Sequence, residues 1–387
     1  MLARSPSTTR LALVLAVSAV VPSGLSSQTP ATSPARQPVA PTVNVSGLIF
    51  GNYQYQLSGQ TKDFNQFLLD RAYVNVRATL GERWSARVTT DVFQSGDQNG
   101  WTIRAKYAYF QYDWLKRPSW NAGLRVGMLQ NLLVEHVETF WPRFVSQVAF
   151  ERSGGFASAD VGAAGLVTLP RRFGEVYAQV INGPGYTRRE TDRFKDYGAR
   201  LSITPLAART QGFLSTLTIS PWFYEGAIAS TFVNGGAGGT ISPIGNGLPR
   251  DRYGVFVGLR DPRLTFGADI GRMHTVTDVL STVAPAVRVV TDARANVISG
   301  FAILRPLAFA SSTHRSRVGL IGRYDAVESN TARDDKYHFL IAGLLFDLDT
   351  RSTLALDYQE QLRNSGAPTL PAPGTFRTAF AHVVVNF

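Results

Sequence analysis

From Val43 to Phe387 apolar side chains recur at about every second position, with few interruptions. In DRAYVNVRATLGERWSARVTTD (Asp70–Asp91) the even positions Ala72, Val74, Val76, Ala78, Trp84, Ala86 and Val88 are apolar or small. Four arginines, Arg71, Arg77, Arg83 and Arg87, fall at odd positions. Period two marks β-strands whose two faces meet different surroundings. It predicts sixteen strands, at 43–56, 67–80, 84–94, 101–115, 120–129, 157–169, 173–181, 195–204, 213–224, 252–260, 263–273, 295–305, 317–327, 337–347, 352–361 and 376–387. Most approach the ~9–11 residues that a tilted membrane strand needs.

The connections sort by length. Those from even to odd strands are tight at 81–83, 116–118, 170–172, 261–262 and 348–351, and modest at 206–212 and 306–314. Those from odd to even strands include long ones at 130–156, 182–194, 225–251, 274–294 and 362–375. Short turns on one rim and long loops on the other characterise an outer-membrane barrel, and an even strand count places both chain ends on the short-turn, periplasmic side. The predicted fold class is therefore all-β: a transmembrane antiparallel β-barrel of about sixteen strands, with long extracellular loops. Trp101, Tyr107, Tyr109, Trp114, Trp120, Trp222 and Tyr224 fall at or near strand ends, where aromatic girdles are expected. The segment FAHVVVNF carries Ala381, Val383, Val385 and Phe387 at two-residue steps, the pattern that bacterial barrel-assembly machinery reads.

Ahead of the barrel, Arg4 and Arg10 flank the start of LALVLAVSAVV (Leu11–Val21), with Pro22 and small residues after it. This is the make-up of a cleaved export signal over 1–27, and the run is too short to span as a helix. Residues 28–42, rich in Pro, Thr and Ala, read as a periplasmic linker. The barrel domain then covers 43–387. The chain has no cysteine, so an exported protein of this length relies on its backbone ladder and packing. Its formal charge of +11 comes from 39 basic side chains, only five of them lysines. Guanidinium groups suit anionic partners. Their spread along an exported chain argues against nucleic acid.

Lipid-facing positions must be apolar, because an arginine there costs about 2–4 kcal/mol at mid-bilayer. Parity then turns Arg71, Tyr73, Asn75 and Arg77 of the second strand inward, and likewise Arg83, Ser85, Arg87 and Asp91 of the third. In the fourth strand Arg104 and Lys106 face in, while Ile103, Ala105, Tyr107 and Tyr109 face lipid. In the fifth, Asn121, Gly123 and Arg125 face in. Arg71, Arg77, Arg83, Arg87, Arg104, Lys106 and Arg125 are thus the candidate pore-lining, anion-binding set, opposed on these strands by Asp91. Later strands add Arg200, Arg260, Arg263, Arg317 and Arg323, and with them Asp160, Glu175, Asp196, Asp269, Asp325 and Asp357. Rings of basic side chains in a narrow tube favour anions.

The segment 130–156 is too apolar for an exterior loop and is expected to fold into the barrel as a constriction, where non-regular backbone lines a wet cavity. Glu135, His136, Glu138, Arg143 and Arg152 are its candidate charged or titratable members.

The stretches FLLDRAYVNVRATLGERWSARVTTDV, YAYFQYDW and LRVGMLQNLLVEHVETFWPRFVSQVAFERS resemble the phosphate-selective porin O/P family, on Arg71–Ala72–Tyr73, Gly127, Glu135 and Glu151–Arg152–Ser153. The likeness runs from about Phe67 to Ser153. It departs from the family pattern at Leu132 and Leu133, where a proline is usual, and in its few lysines. The resemblance implies a sixteen-stranded, often trimeric porin passing anions such as phosphate or polyphosphate.

The function expected is a passive, anion-leaning diffusion channel. The alternatives are a general or carbohydrate porin, a plugged structural or adhesive barrel, and, as the most remote, a membrane-embedded hydrolase. The five histidines, His136, His274, His314, His338 and His382, lie in no nucleophile-elbow or HExxH setting, so no catalytic residue, cofactor or metal is expected. Expected partners are outer-membrane lipid, small anionic solutes, the barrel-assembly machinery and, as a homotrimer, two further copies of the chain.

Overall fold

Strand β1 (Thr42–Gln56) pairs on one side with β2 (Asn65–Thr79) and on the other with β17 (Phe376–Asn386). With every intervening neighbour also paired antiparallel, the sheet closes on itself and has no free edge, the condition for a sheet to span lipid. The computed structural model describes residues 40–95, 100–209, 212–230, 247–280, 288–310, 316–364 and 374–387. The export signal and nearly all of the linker predicted over 1–42 lie outside the described residues.

The remaining long strands are β3 (Trp84–Ser95), β4 (Gly100–Arg117), β5 (Trp120–Gln130), β6 (Ala159–Leu169), β7 (Gly174–Ile181), β8 (Asp196–Ile203), β9 (Thr218–Glu225), β11 (Gly247–Arg260), β12 (Leu264–Leu280), β13 (Arg288–Leu304), β14 (Val318–Asn330), β15 (Asp335–Asp347) and β16 (Ser352–Arg363). These make a closed sixteen-stranded antiparallel barrel, as the alternation predicts. The three-residue β10 (Ala227–Ala229) is an extra strand on the upper end of β11.

Three element boundaries differ from expectation. Residues 274–280 and 288–294 are not open loop: the β12–β13 ladder continues from His274↔Arg294 to Leu280↔Arg288. The Val- and Thr-rich HTVTDVL and RVVTDAR favour extended pairing, so the two strands rise as a ribbon. Part of 225–251 is likewise extended, because β10 pairs with residues 247–249. At the other rim Phe213–Leu217 forms turns rather than the start of β9. No helix among the described residues is long and apolar enough to cross a membrane.

Outward faces carry an exposed apolar belt, with Val74, Val88, Ile103, Phe110, Leu124, Ile270, Ile298, Leu320, Leu344, Leu356 and Val383 among its members. At the seam the backbone of Gly47 exchanges both hydrogen bonds with Phe387 (2.8 and 3.0 Å), and a Cβ on Gly47 would stand 1.9 Å from the Phe387 ring.

Candidate functional site

Residues 131–156 pack against the inward faces of strands on several sides of the barrel. Within them, α1 (Val134–Glu138) and α2 (Ala149–Arg152) are single turns. Leu132, Leu133, Val134, Val137, Trp141 and Phe150 are almost fully buried. Trp141 meets Phe301 of β13, Phe140 meets Phe256 of β11, and Phe150 meets Trp222 of β9, at ring separations of 5.1, 5.1 and 4.9 Å. Gly271 leaves room for this packing: a Cβ there would stand 2.7 Å from the Phe150 ring.

The wall that receives these side chains is itself apolar. Phe256, Val297, Phe301, Ile303, Ile321, Val327, Phe339, Ile341 and Leu345 all point inward and join the same core. Polar ties fasten the segment around its length. Arg323 donates to Ser146 Oγ (3.0 Å) and the Gln147 carbonyl (2.6 Å), Gln359 to the Val145 carbonyl (3.2 Å), and Arg152 to Gln361 Oε1 (2.6 Å). Arg200 donates to the Leu132 carbonyl and also pairs with Glu175.

The opposite wall, β2–β5, is basic. Arg71 and Arg104 flank the buried carboxylate of Asp91 at 3.8 and 2.9 Å, and Arg104 also reaches the Tyr186 hydroxyl (3.0 Å). Arg87 is held by Asn75 (3.0 Å), Thr89 (3.1 Å) and, across the lumen, Glu135 of α1 (3.1 Å). Arg125 is held by amides: its Nε donates to Gln111 Oε1 at 2.7 Å and its Nη1 to Gln130 Oε1 at 3.3 Å. Its position is fixed, and it makes no ion pair among the described residues. Arg77 lies directly opposite Arg87 in the β2–β3 ladder and makes no ion pair among the described residues. Aromatic rings lie under several cations, with Arg104 over Phe93 (3.8 Å), Arg87 over Tyr107 (4.4 Å) and Lys106 over Tyr73 (4.4 Å).

Three placements differ from the parity reading. A bulge in the β3–β4 ladder, where Thr89 pairs with Tyr107 but Thr90 with Ala105, leaves Lys106 as an extra residue. The alternation flips there. Lys106 still faces in, bonded to the Tyr73 hydroxyl at 3.2 Å, but Tyr107 and Tyr109 turn inward instead of toward lipid. The flip also brings Gln111 and Asp113 inside, so Asp91 is not the sole acid of this wall. Gly123 makes space for that carboxylate, since a Cβ there would lie 2.4 Å from Asp113 Oδ1. Arg83, in contrast, lies in the β2–β3 turn and bonds the hydroxyl of Tyr112 (3.3 Å), whose ring packs at a tilt against exposed Trp84 (4.8 Å). Its charge sits on the outer face at the short-turn rim, because a turn does not keep strand parity. Arg263 is also in a turn, clamped to Asp261 (2.7 Å).

Within the loop, Arg143 bridges Glu138 and Glu151, meeting the latter through two bonds of 2.7 and 3.0 Å. Burial raises the Glu138 carboxyl above its usual range, against the pull of Arg143 and Lys106. His136 contacts Ser220 Oγ at 2.9 Å between the rings of Phe140 and Phe256. Burial, with the Arg200 charge adding, holds its imidazole well below the ordinary value. Among the described residues no cluster of histidine and acids is arranged to hold a metal.

No protein-family model and no curated protein matches the chain. Solved structures do. The anion-selective porin from Comamonas acidovorans aligns with TM-score 0.62 at 11% identity, over 90% of this chain and 100% of that one. The chain has the porin fold. The in-vitro folded OmpT of Vibrio cholerae, in its trimer form, aligns with TM-score 0.56 at 10% identity, over 90% of this chain and all of that one. Pseudomonas putida OprB, in a high-pH structure, gives 0.57 at 9% identity, over 89% of this chain and 94% of that one.

Proposed function

We propose that this porin-fold chain is a passive diffusion channel of the bacterial outer membrane that favours anions, with phosphate or polyphosphate as the solute class. The observation that carries the reading is the Arg125 guanidinium, fixed to Gln111 and Gln130 with no ion pair among the described residues, on the same wall as Arg77 and Arg87. Solute passes between that wall and the 131–156 segment, which sets the size limit. Attraction has to stay weak enough for release. Assembly into a homotrimer belongs to the same proposal.

Planar-bilayer conductance of the refolded protein, with reversal potential under a KCl gradient, tests it. Anion preference with block by millimolar phosphate supports the full reading, and anion preference without block leaves a general anion-leaning porin. Apolar packing of 131–156 against β11–β15 favours a second reading, a plugged structural barrel. A refolded protein that never conducts selects it.

A further inference from the structure

A furrow on the outer surface of the barrel lies outside the lumen. It has a volume of about 720 Å³ and crosses the outer faces of β11–β15. Its lower part is apolar, formed by exposed Val255, Ile270 and Ile298 and half-buried Ala326. Its upper part, one step further along each strand toward the long-loop rim, carries Arg272, Asn296, Glu328 and Lys336. These are ladder neighbours in a row: Arg272↔Asn296, Asn296↔Glu328 and Glu328↔Lys336. Glu328 is engaged by Asn296 (2.9 Å) and Lys336 (3.4 Å), and Lys336 also meets Asp334 at the hairpin tip. Arg272 makes no ion pair among the described residues. Neither does Arg294, which faces outward one step above Asn296.

An apolar trough ending in uncompensated guanidinium groups complements a molecule with hydrocarbon chains at one end and phosphate at the other. The polarity runs the right way for the leaflet on the long-loop side. We infer that the furrow is a seat for one phosphate-bearing lipid of the outer leaflet, chains along Ile270 and Ile298 and phosphate on Arg272. The inference rests on the outer-membrane reading but not on conduction. Guanidinium pairs with phosphate oxygens through two parallel bonds, and Arg272 and Arg294 are the two groups free to do so. Ala326 keeps the trough open, since it is the small residue between Ile298 and His338.

The test is lipid retention by native mass spectrometry, using the refolded full chain offered diphosphoryl lipid A or diacylglycerol, which has chains but no phosphate. The wild-type protein should retain one lipid A and shed diacylglycerol. Ala326→Trp, which fills the trough, should lower retention at least about tenfold, and Arg272→Ala about three- to tenfold. Leu356→Trp, also on the outer wall but away from the furrow, should change nothing. Three outcomes would overturn the proposal: no retained lipid A, equal retention of diacylglycerol, or retention unaffected by Ala326→Trp. So would a wild-type oligomer that Ala326→Trp converts to monomer with no lipid lost, since the furrow would then be covered by another copy of the chain. Conductance of the same samples reports separately on the channel, and Ala326→Trp should leave it at the wild-type level, which also verifies folding.

Discussion

Arg87 on β3 donates to Glu135 on α1 across 3.1 Å, a contact between residues 48 positions apart that ties the basic wall to the loop crossing the lumen. One carboxylate thereby offsets the charge of one member of the wall and anchors the loop. Glu135→Gln should free Arg87 and raise the anion-to-cation permeability ratio, on the order of twofold, and Arg87→Gln should lower it by a similar factor. Reversal potentials in one KCl gradient decide the matter; shifts of the same sign in both variants would sink it.

Arg125 and Arg83 make a contrasting pair. Arg125→Ala should reduce anion preference and weaken phosphate block, because it removes a fixed charge that makes no ion pair among the described residues. Arg83→Ala should leave both unchanged, since that side chain bonds Tyr112 on the outer face. A titration of channel block by phosphate for the two variants separates them, and equal effects would contradict the placement.

Trp141 is 1% exposed and packs on Phe301 of the far wall. Trp141→Ala removes a large buried ring, a loss of about 3–5 kcal/mol for a substitution of this kind. The loop should loosen ahead of the barrel. Noisier, larger conductance with the heat-induced gel shift of the whole barrel little changed is the expected result, whereas a uniform fall in barrel stability would show that the loop and wall melt together.

His136 supplies a pH dependence. Its folded pKa is depressed below the ordinary 6.5, so the neutral ring contributes stability above about pH 6.5 that is lost as pH falls below it. Protonation puts a charge between Phe140, Phe256 and Arg200. Limited trypsin cleavage of the 131–156 segment should therefore increase between pH 7.5 and pH 5 in the wild-type protein. Rates are taken relative to an unfolded reference peptide at each pH, because trypsin's own catalytic histidine protonates over this range; on that scale the pH change should have little effect in His136→Gln.

The barrel was legible because its strongest constraint, one apolar face per strand, acts on every second residue and needs no knowledge of distant contacts. Tyr107 and Tyr109 show where that reading stops. Around them, AKYAYFQYDW has aromatic or small residues on both faces, so either parity satisfies the rule, and the deciding bulge at Lys106 depends on how β4 meets β3. The amide clamp on Arg125 was equally hidden. Gln111 and Gln130 are unremarkable alone, and only the bulge and the end of β5 bring both to one guanidinium. One signal was present but unused: β15 reads YHFLIAGLLF, nearly apolar on both faces, the composition of a strand covered on both sides. Such a run marks the wall against which an interior loop packs.

The seam between β1 and β17 has a consequence in time. Thr378 and Gln56 hydrogen-bond although 322 positions separate them, and the Phe387–Gly47 exchange lies on the same seam. Until β17 arrives, the outer edge of β1 offers a row of unsatisfied amides and carbonyls to any neighbouring strand, and that hazard grows with the duration of the wait. The glycine at 47 makes the final join possible by leaving the aromatic ring a flat place to land, so the step that completes the wall is also the one least tolerant of a side chain there.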